Sequence, residues 1–171
     1  DYVIRLNNRK ILDGIIDSLN ISGNESGSDI NLAIMRSIDK LDRLGLKGVE
    51  QLLGEGRKDE SGDYTKGAGL ENSSIKKILL FLEYGIDSKN LNRKKSLENL
   101  SKQFGSNDVF SEAIEELDQI SSIIDVAGYD EKRIIVDPSV VRGLGYYTGP
   151  VYEADLTFDI ETDNSLEKFG S

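Results

Sequence analysis

The 171-residue chain contains no cysteine and no histidine. The first absence excludes disulfides, thiolate nucleophiles and zinc–thiolate sites. The second removes the commonest general base and the commonest transition-metal ligand. Chemistry here falls to carboxylates, Arg, Lys, Tyr, Ser, Thr or the backbone. No apolar run approaches the roughly 18 residues a membrane helix needs, so none is expected. No signal peptide is expected from the opening residues. It begins at Asp1 without an initiator methionine, and Met35 is its only Met. The expectation from that start is a piece of a longer protein.

What is present suits a soluble globular unit. Hydrophobic residues make up 37% and the net charge is −10. An acidic chain binds nucleic acid only through a local basic face. The charge is segregated: Leu70 to Gly105 holds seven bases against four acids, and Asp108 to Glu131 holds eight acids and no base. The second run is the pattern of a solvated helix face. Without convergent histidines it makes no metal site, and none is expected.

Periodicity divides the chain into β-α, then about five helices, then β-β. Tyr2 to Asn8 alternates as a strand. Ile11, Leu12, Ile15, Ile16 and Leu19 share a helix face, with Asn7 or Asn8 as the N-cap. Asn20 to Asp29 is a Ser/Gly-rich loop. Ile30, Ile34, Ile38, Leu41 and Leu44 predict one helix stopped by Gly45, with a short helix after it. "RKDESGDYTKGAG" (57–69) is charged, turn-rich and nearly free of apolar residues, so a mobile or poorly ordered loop is expected. A helix ending at Gly85 follows, then helices over Leu91 to Phe104 and Asp108 to Val126. "RIIVDPSV" is a short strand ended by Pro138. "LGYYTG" and "VYEADLTFDI" are β-rich. In the latter, Val151, Glu153, Asp155 and Thr157 share one face, and Tyr152, Ala154, Leu156, Phe158 and Ile160 share the other. Glu161 to Ser171 is a polar tail. Strands at both ends form a stable sheet only by meeting across the helical middle. The expected class is α+β, a helical insertion inside a sheet domain.

The chemistry-bearing stretch is "SVVRGLGYYTGPVYEAD" (139–155), which crowds one arginine, three glycines and three tyrosines. A planar guanidinium suits a phosphate or carboxylate. A tyrosine hydroxyl orients a small polar heterocycle. Glycine lets a ligand approach the backbone closely. Adjacent Tyr146 and Tyr147 face opposite sides if the stretch is a strand.

"RGLGYYTGPVYE" resembles the histidine-specific signature of histidyl-tRNA synthetases, Arg-Gly-Leu-x-Tyr-Tyr-[Thr/Asn]-Gly. "IRLNNRKILDGII" resembles the strand and helix after that family's second class II signature. The helical middle lies where the family carries its insertion. The resemblance covers essentially the whole chain. Position x, usually Asp, Glu or a small residue, is Gly145, which offers no side-chain role. The resemblance implies a class II antiparallel sheet and division into 1–20 (catalytic strand and helix), 21–132 (helical insertion) and 133–171 (catalytic strands with the motif). It implies Arg142 against the α-phosphate and the histidine carboxylate. Tyr146, Tyr147 and Leu144 would line the histidine site, with Gly143 as the close backbone approach. ATP and Mg2+ would serve the full-length protein. Histidine and tRNA-His are the implied partners, in a cytoplasmic homodimer.

Two clusters are candidate tRNA phosphate contacts, Arg93, Lys94 and Lys95 in one and Lys76 with Lys77 in the other. Each is equally a solvated helix start. "LGEGRKDESG" is no phosphate loop, because no strand precedes it and Gly-Lys-Ser/Thr is missing. Two other functions compete with a ligase. One is a histidine-sensing regulatory paralogue of the ATP phosphoribosyltransferase complex. The other is an insertion module that only binds the tRNA acceptor arm. The chain lacks the family's first, second and third signatures, so alone it is expected to be inactive.

Overall fold

The computed structural model describes residues 1–19, 27–87, 92–105, 107–141 and 147–158. Arg142, Gly143, Leu144, Gly145, Tyr146, most of the loop at 20–29 and the polar tail lie outside the described residues.

The chain enters as β1 (Tyr2–Asn8). Asn8 ends the strand and caps α1 (Arg9–Asp17), its extended backbone leaving the side-chain oxygen to accept the Lys10 N–H at 3.0 Å. The apolar stripe of α1, Ile11, Leu12, Ile15 and Ile16, is buried as its spacing predicts. Next, α2 (Gly27–Ile38) and α3 (Leu41–Leu53) replace the single helix expected up to Leu44. The break falls at Asp39 and Lys40, where a turn brings the Lys40 N–H to the Ser37 carbonyl and buries Leu41. Gly45 does end a helical segment as expected: at φ 64° and ψ 178° its backbone is non-helical, and α3 is two helices meeting at a kink there.

The segment expected to be a loose loop is a hairpin, β2 (Gly56–Lys58) and β3 (Tyr64–Lys66). It is stitched to the end of α3 by N–H donors of Gly67, Ala68, Gly69 and Leu70 to carbonyls of Glu55, Leu52, Gly54 and Leu53. Low apolar content had signalled disorder, but backbone pairing and a strong turn need little of it.

Then come α4 (Asn72–Asp87), α5 (Arg93–Phe104) and α6 (Asp108–Val126). Side chains of Asn92 and Asn107 cap the last two. Gly85 is not a terminus; α4 runs two residues past it. A Cβ there would lie 2.9 Å from the Ser139 nitrogen, so the glycine lets the helix back onto the turn at 137–139.

Finally, β4 (Ile134–Val136) pairs parallel to β1 and β5 (Pro150–Leu156) pairs antiparallel to it, giving the order β4-β1-β5. The ends of the chain thus do meet across the helical middle. Parallel neighbours require a long crossover, and everything between Asn8 and Ile134 is that crossover. Sheet and helices share one core: Leu6, Val136 and Val151 belong to the same cluster as Phe81, Leu97 and Phe110. Each large side chain taken fully from water contributes about 1.5–3 kcal/mol. Phe81 also meets Phe104 edge-on at 5.6 Å. The class is α+β.

The register gives the sheet two unlike faces. Ile4 and Leu6 oppose Ala154 and Tyr152 on one side and Ile134 and Val136 on the other, making an apolar face. The end of α6 lies over it, leaving a groove of about 620 Å³ lined by Tyr2, Ile4, Ile120, Ile123, Tyr129 and Tyr152, among others. The opposite face carries Arg5 and Asn7 with Glu153 and Asp155.

Candidate functional site

The polar face starts from Arg5. Its guanidinium pairs with Asp155 and lies 3.6 Å from Asp137. Burial works against its charge, and the carboxylates of Asp155, Asp137 and Glu153 more than offset it, holding the pKa above the ordinary arginine value. A cation fixed between β1, β5 and the turn after β4 sets the spacing of those three segments.

Two residues further along the same face, Asn7 is only 1% exposed. Its amide nitrogen donates to the Pro138 carbonyl at 3.2 Å and the Val140 carbonyl at 2.9 Å. The turn between them is closed by Asp137, whose carboxylate accepts the Ser139 N–H at 2.9 Å and the Ser139 hydroxyl at 2.5 Å. On the return side, the Arg9 N–H donates to the Gly149 carbonyl at 2.9 Å. Both flanks of the Arg-Gly-Leu-Gly-Tyr-Tyr stretch are therefore held by the three residues where β1 becomes α1. The cap itself is tied to α6: the Asn8 amide donates to Glu116 at 2.6 Å, and Lys10 bridges Glu112 and Glu116. The hydrogen bonds from Lys10, then Asn8, hold the Glu116 carboxyl below its usual range. Donating to Glu112, then Glu116, raises the Lys10 pKa.

Of the expected site residues Arg142, Gly143, Leu144, Tyr146 and Tyr147, Tyr147 alone is described, and it is 56% exposed. Among the described residues no group of three metal-ligating side chains is gathered, and no helix is long and apolar enough to cross a membrane. Lys76 and Lys77 are exposed on the second turn of α4, and Lys94 and Lys95 on the first turn of α5.

Arg93 is a correction. It does not join Lys94 and Lys95 at the surface; it is wholly buried. It donates to the Ile134 carbonyl at 2.7 Å and the Ser121 hydroxyl at 3.2 Å, and it pairs with Asp125. A guanidinium wholly buried against α6 and β4 is out of reach of a phosphate.

Sequence reasoning missed Asn7. The available signal was the Asn7-Asn8 pair at a strand–helix junction, where one amide suffices as a cap and the other is left for a different task. It also missed the Arg5 ion cluster, because alternating charge along a strand looks like a solvated face.

The family model for histidyl-tRNA synthetase matches residues 1–156. A histidine–tRNA ligase of Jannaschia sp. (strain CCS1) is 47% identical over all of this chain and 33% of its own length. One from Rhizobium rhizogenes is 49% identical over the same shares. A crystal structure of histidyl-tRNA synthetase from Nostoc sp. PCC 7120 superposes with a TM-score of 0.66 at 30% identity, covering 90% of this chain and 31% of that one. The chain thus spans about a third of the length of the curated relatives it matches.

Proposed function

This chain belongs to the histidyl-tRNA synthetase family, and on that premise we propose that it is an internal part of a histidine–tRNA ligase. The parent protein would activate histidine with ATP and pass the histidyl group to tRNA-His. The observation that supports this most is the fastening of the motif's flanks by Asn7 and the Arg9 N–H. A site that stabilises developing charge needs its donors fixed beforehand.

In this reading a histidine carboxylate oxygen attacks the α-phosphorus of ATP and pyrophosphate leaves. The terminal ribose hydroxyl of tRNA-His then attacks the acyl carbon and AMP leaves. Arg142 is the catalytic residue of this chain, its permanent charge lying against the α-phosphate and the histidine carboxylate. Tyr146, Tyr147 and Leu144 form the wall of the histidine site, and Gly143 allows the close backbone approach. A hydroxyl aimed at the imidazole rejects side chains that leave it unpaired. ATP would come with Mg2+, carried by parts of the parent beyond the described residues. Residues 1–20 and 133–171 would belong to the catalytic domain and 21–132 to its insertion. The parent would work as a cytoplasmic homodimer. Lys76, Lys77, Lys94 and Lys95 stay as tRNA phosphate contacts, without Arg93.

The test is Arg142→Ala in the full-length parent, with histidine-dependent ATP–pyrophosphate exchange and histidine binding measured in parallel. Loss of one preorganised electrostatic partner is expected to cut exchange by about 10²–10³-fold while histidine still binds. An unmodified parent that binds histidine yet shows no exchange would replace the ligase with the histidine-sensing paralogue.

A further inference from the structure

The hairpin β2–β3 takes no part in the site above, yet its surface is ordered. In an antiparallel pair, opposed residues and those two apart along a strand share a face. Lys58 opposes Tyr64, and Gly56 opposes Lys66. Lys58, Tyr64 and Lys66 therefore stand on one face, with a bare glycine at the fourth corner. Lys58 and Lys66 are exposed, and Tyr64 is 58% exposed.

The phenol does not wave free. It crosses the hairpin diagonally, and its hydroxyl donates to the Glu55 carbonyl at 2.7 Å. A Cβ at Gly56 would lie 2.9 Å from that hydroxyl, so the glycine makes the crossing possible. The ring is thus held at its Cα and at its oxygen while most of the residue faces solvent. The turn is equally firm: Asp59 accepts the N–H groups of Ser61 and Asp63 at 3.0 and 2.9 Å and the Ser61 hydroxyl at 2.6 Å. Those bonds, the hydroxyl foremost, hold its carboxyl below the usual range. Among the described residues no ion pair engages Lys58 or Lys66.

We propose that this face contacts RNA, with Tyr64 as a stacking platform for an unpaired base and Lys58 and Lys66 on the phosphates to either side. A nucleic acid strand alternates π-faces and anions, and the hairpin offers a fixed ring flanked by two cations. A ring already held loses little freedom on binding. An apolar protein partner would instead bury two ammonium groups without counter-charges. Glu60 and Asp63 at the tip repel phosphate, so the strand would cross the shaft of the hairpin, not run along its end. The inference rests on the tRNA-acting reading and adds to it a contact distinct from the lysines of α4 and α5.

The experiment uses the full-length parent and a tRNA-His transcript, with binding followed by fluorescence anisotropy across a salt series. Tyr64→Leu is expected to weaken binding about ten-fold, and Tyr64→Phe to keep most of it, because the stacking ring is what matters. Lys58→Gln with Lys66→Gln is expected to flatten the log–log salt slope by roughly 1.5. Histidine-dependent pyrophosphate exchange is expected to stay unchanged in all three. Wild-type binding and slope in both the Tyr64→Leu and the double-glutamine proteins would overturn the proposal. So would variants that leave RNA binding intact but lower the melting temperature, since another part of the parent would then be covering the hairpin. A parent lacking exchange would overturn the ligase reading, while the binding series would still decide the hairpin.

Discussion

Arg93→Ala is the sharpest test of the fold. The wild-type guanidinium is fully buried and joins three elements: α5 that carries it, α6 through Ser121 and Asp125, and β4 through the Ile134 carbonyl. Alanine removes the donor to a partly buried carbonyl, which costs about 1–3 kcal/mol. It also leaves a hole where a long side chain was, and large-to-small changes in cores cost about 2–5 kcal/mol. Asp125 is 58% exposed and regains water, so it adds little. A total of about 3–8 kcal/mol is expected. At this chain length 1 kcal/mol moves the melting point by about 2–4 °C, so a fall of at least roughly 6 °C follows. Thermal unfolding by far-UV circular dichroism measures it. Lys94→Ala, one residue on and exposed, is the control and is expected to stay within about 0.5 kcal/mol of wild type. Arg93→Met keeps the body of the side chain and is expected to lose less than alanine. If Arg93→Ala unfolds alongside Lys94→Ala, the buried latch is wrong and Arg93 returns to the surface cluster.

Gly85→Ala gains about 0.5–1 kcal/mol of helix preference, yet its Cβ would press to 2.9 Å from the Ser139 nitrogen. A net loss of about 1–2 kcal/mol in urea unfolding is expected; a gain would show that α4 does not back onto that turn. Glu116→Gln is a pH test. The Glu116 pKa is lowered in the folded chain by Lys10 and Asn8, so its contribution is present above the unfolded carboxylate value, about 4.3, and fades as pH falls through the lower folded value. Wild type is expected to out-melt Glu116→Gln at neutral pH, with the gap closing below about pH 4; a gap constant with pH would contradict the pairing. The isolated 171-residue chain is expected to give no pyrophosphate exchange above a buffer blank, and any histidine-dependent signal would show that the missing signatures are dispensable.

Strands, helix stripes and caps were legible because they are local. The strand at Tyr2–Asn8, the helix at Asp108–Val126 and capping by asparagine follow from period and side-chain reach within a few residues. So did the motif, whose residue types carry their chemistry wherever the chain takes them. Two local signals misled. Gly85 looks like a helix stop, as Gly45 is, but it is a point of close contact inside α4. The charged 57–69 stretch looks unstructured, but a turn closed by Asp59 and a diagonal phenol do not depend on apolar content.

The sequence by itself determined the class, the strands of the main sheet, most of the helices and the motif, since each depends on spacing along a few turns of chain. Only the tertiary structure decided which charges are inside. Arg93 and Lys94 are neighbours with the same sign, and their fates separate because Ile134 and Asp125 arrive from 41 and 32 residues away. It likewise decided that Asn7 holds the turn before Arg142, through carbonyls more than 130 residues distant. Burying a polar group is favourable only when its partner is in place, and the position of a distant partner is set by the crossover that closes the sheet.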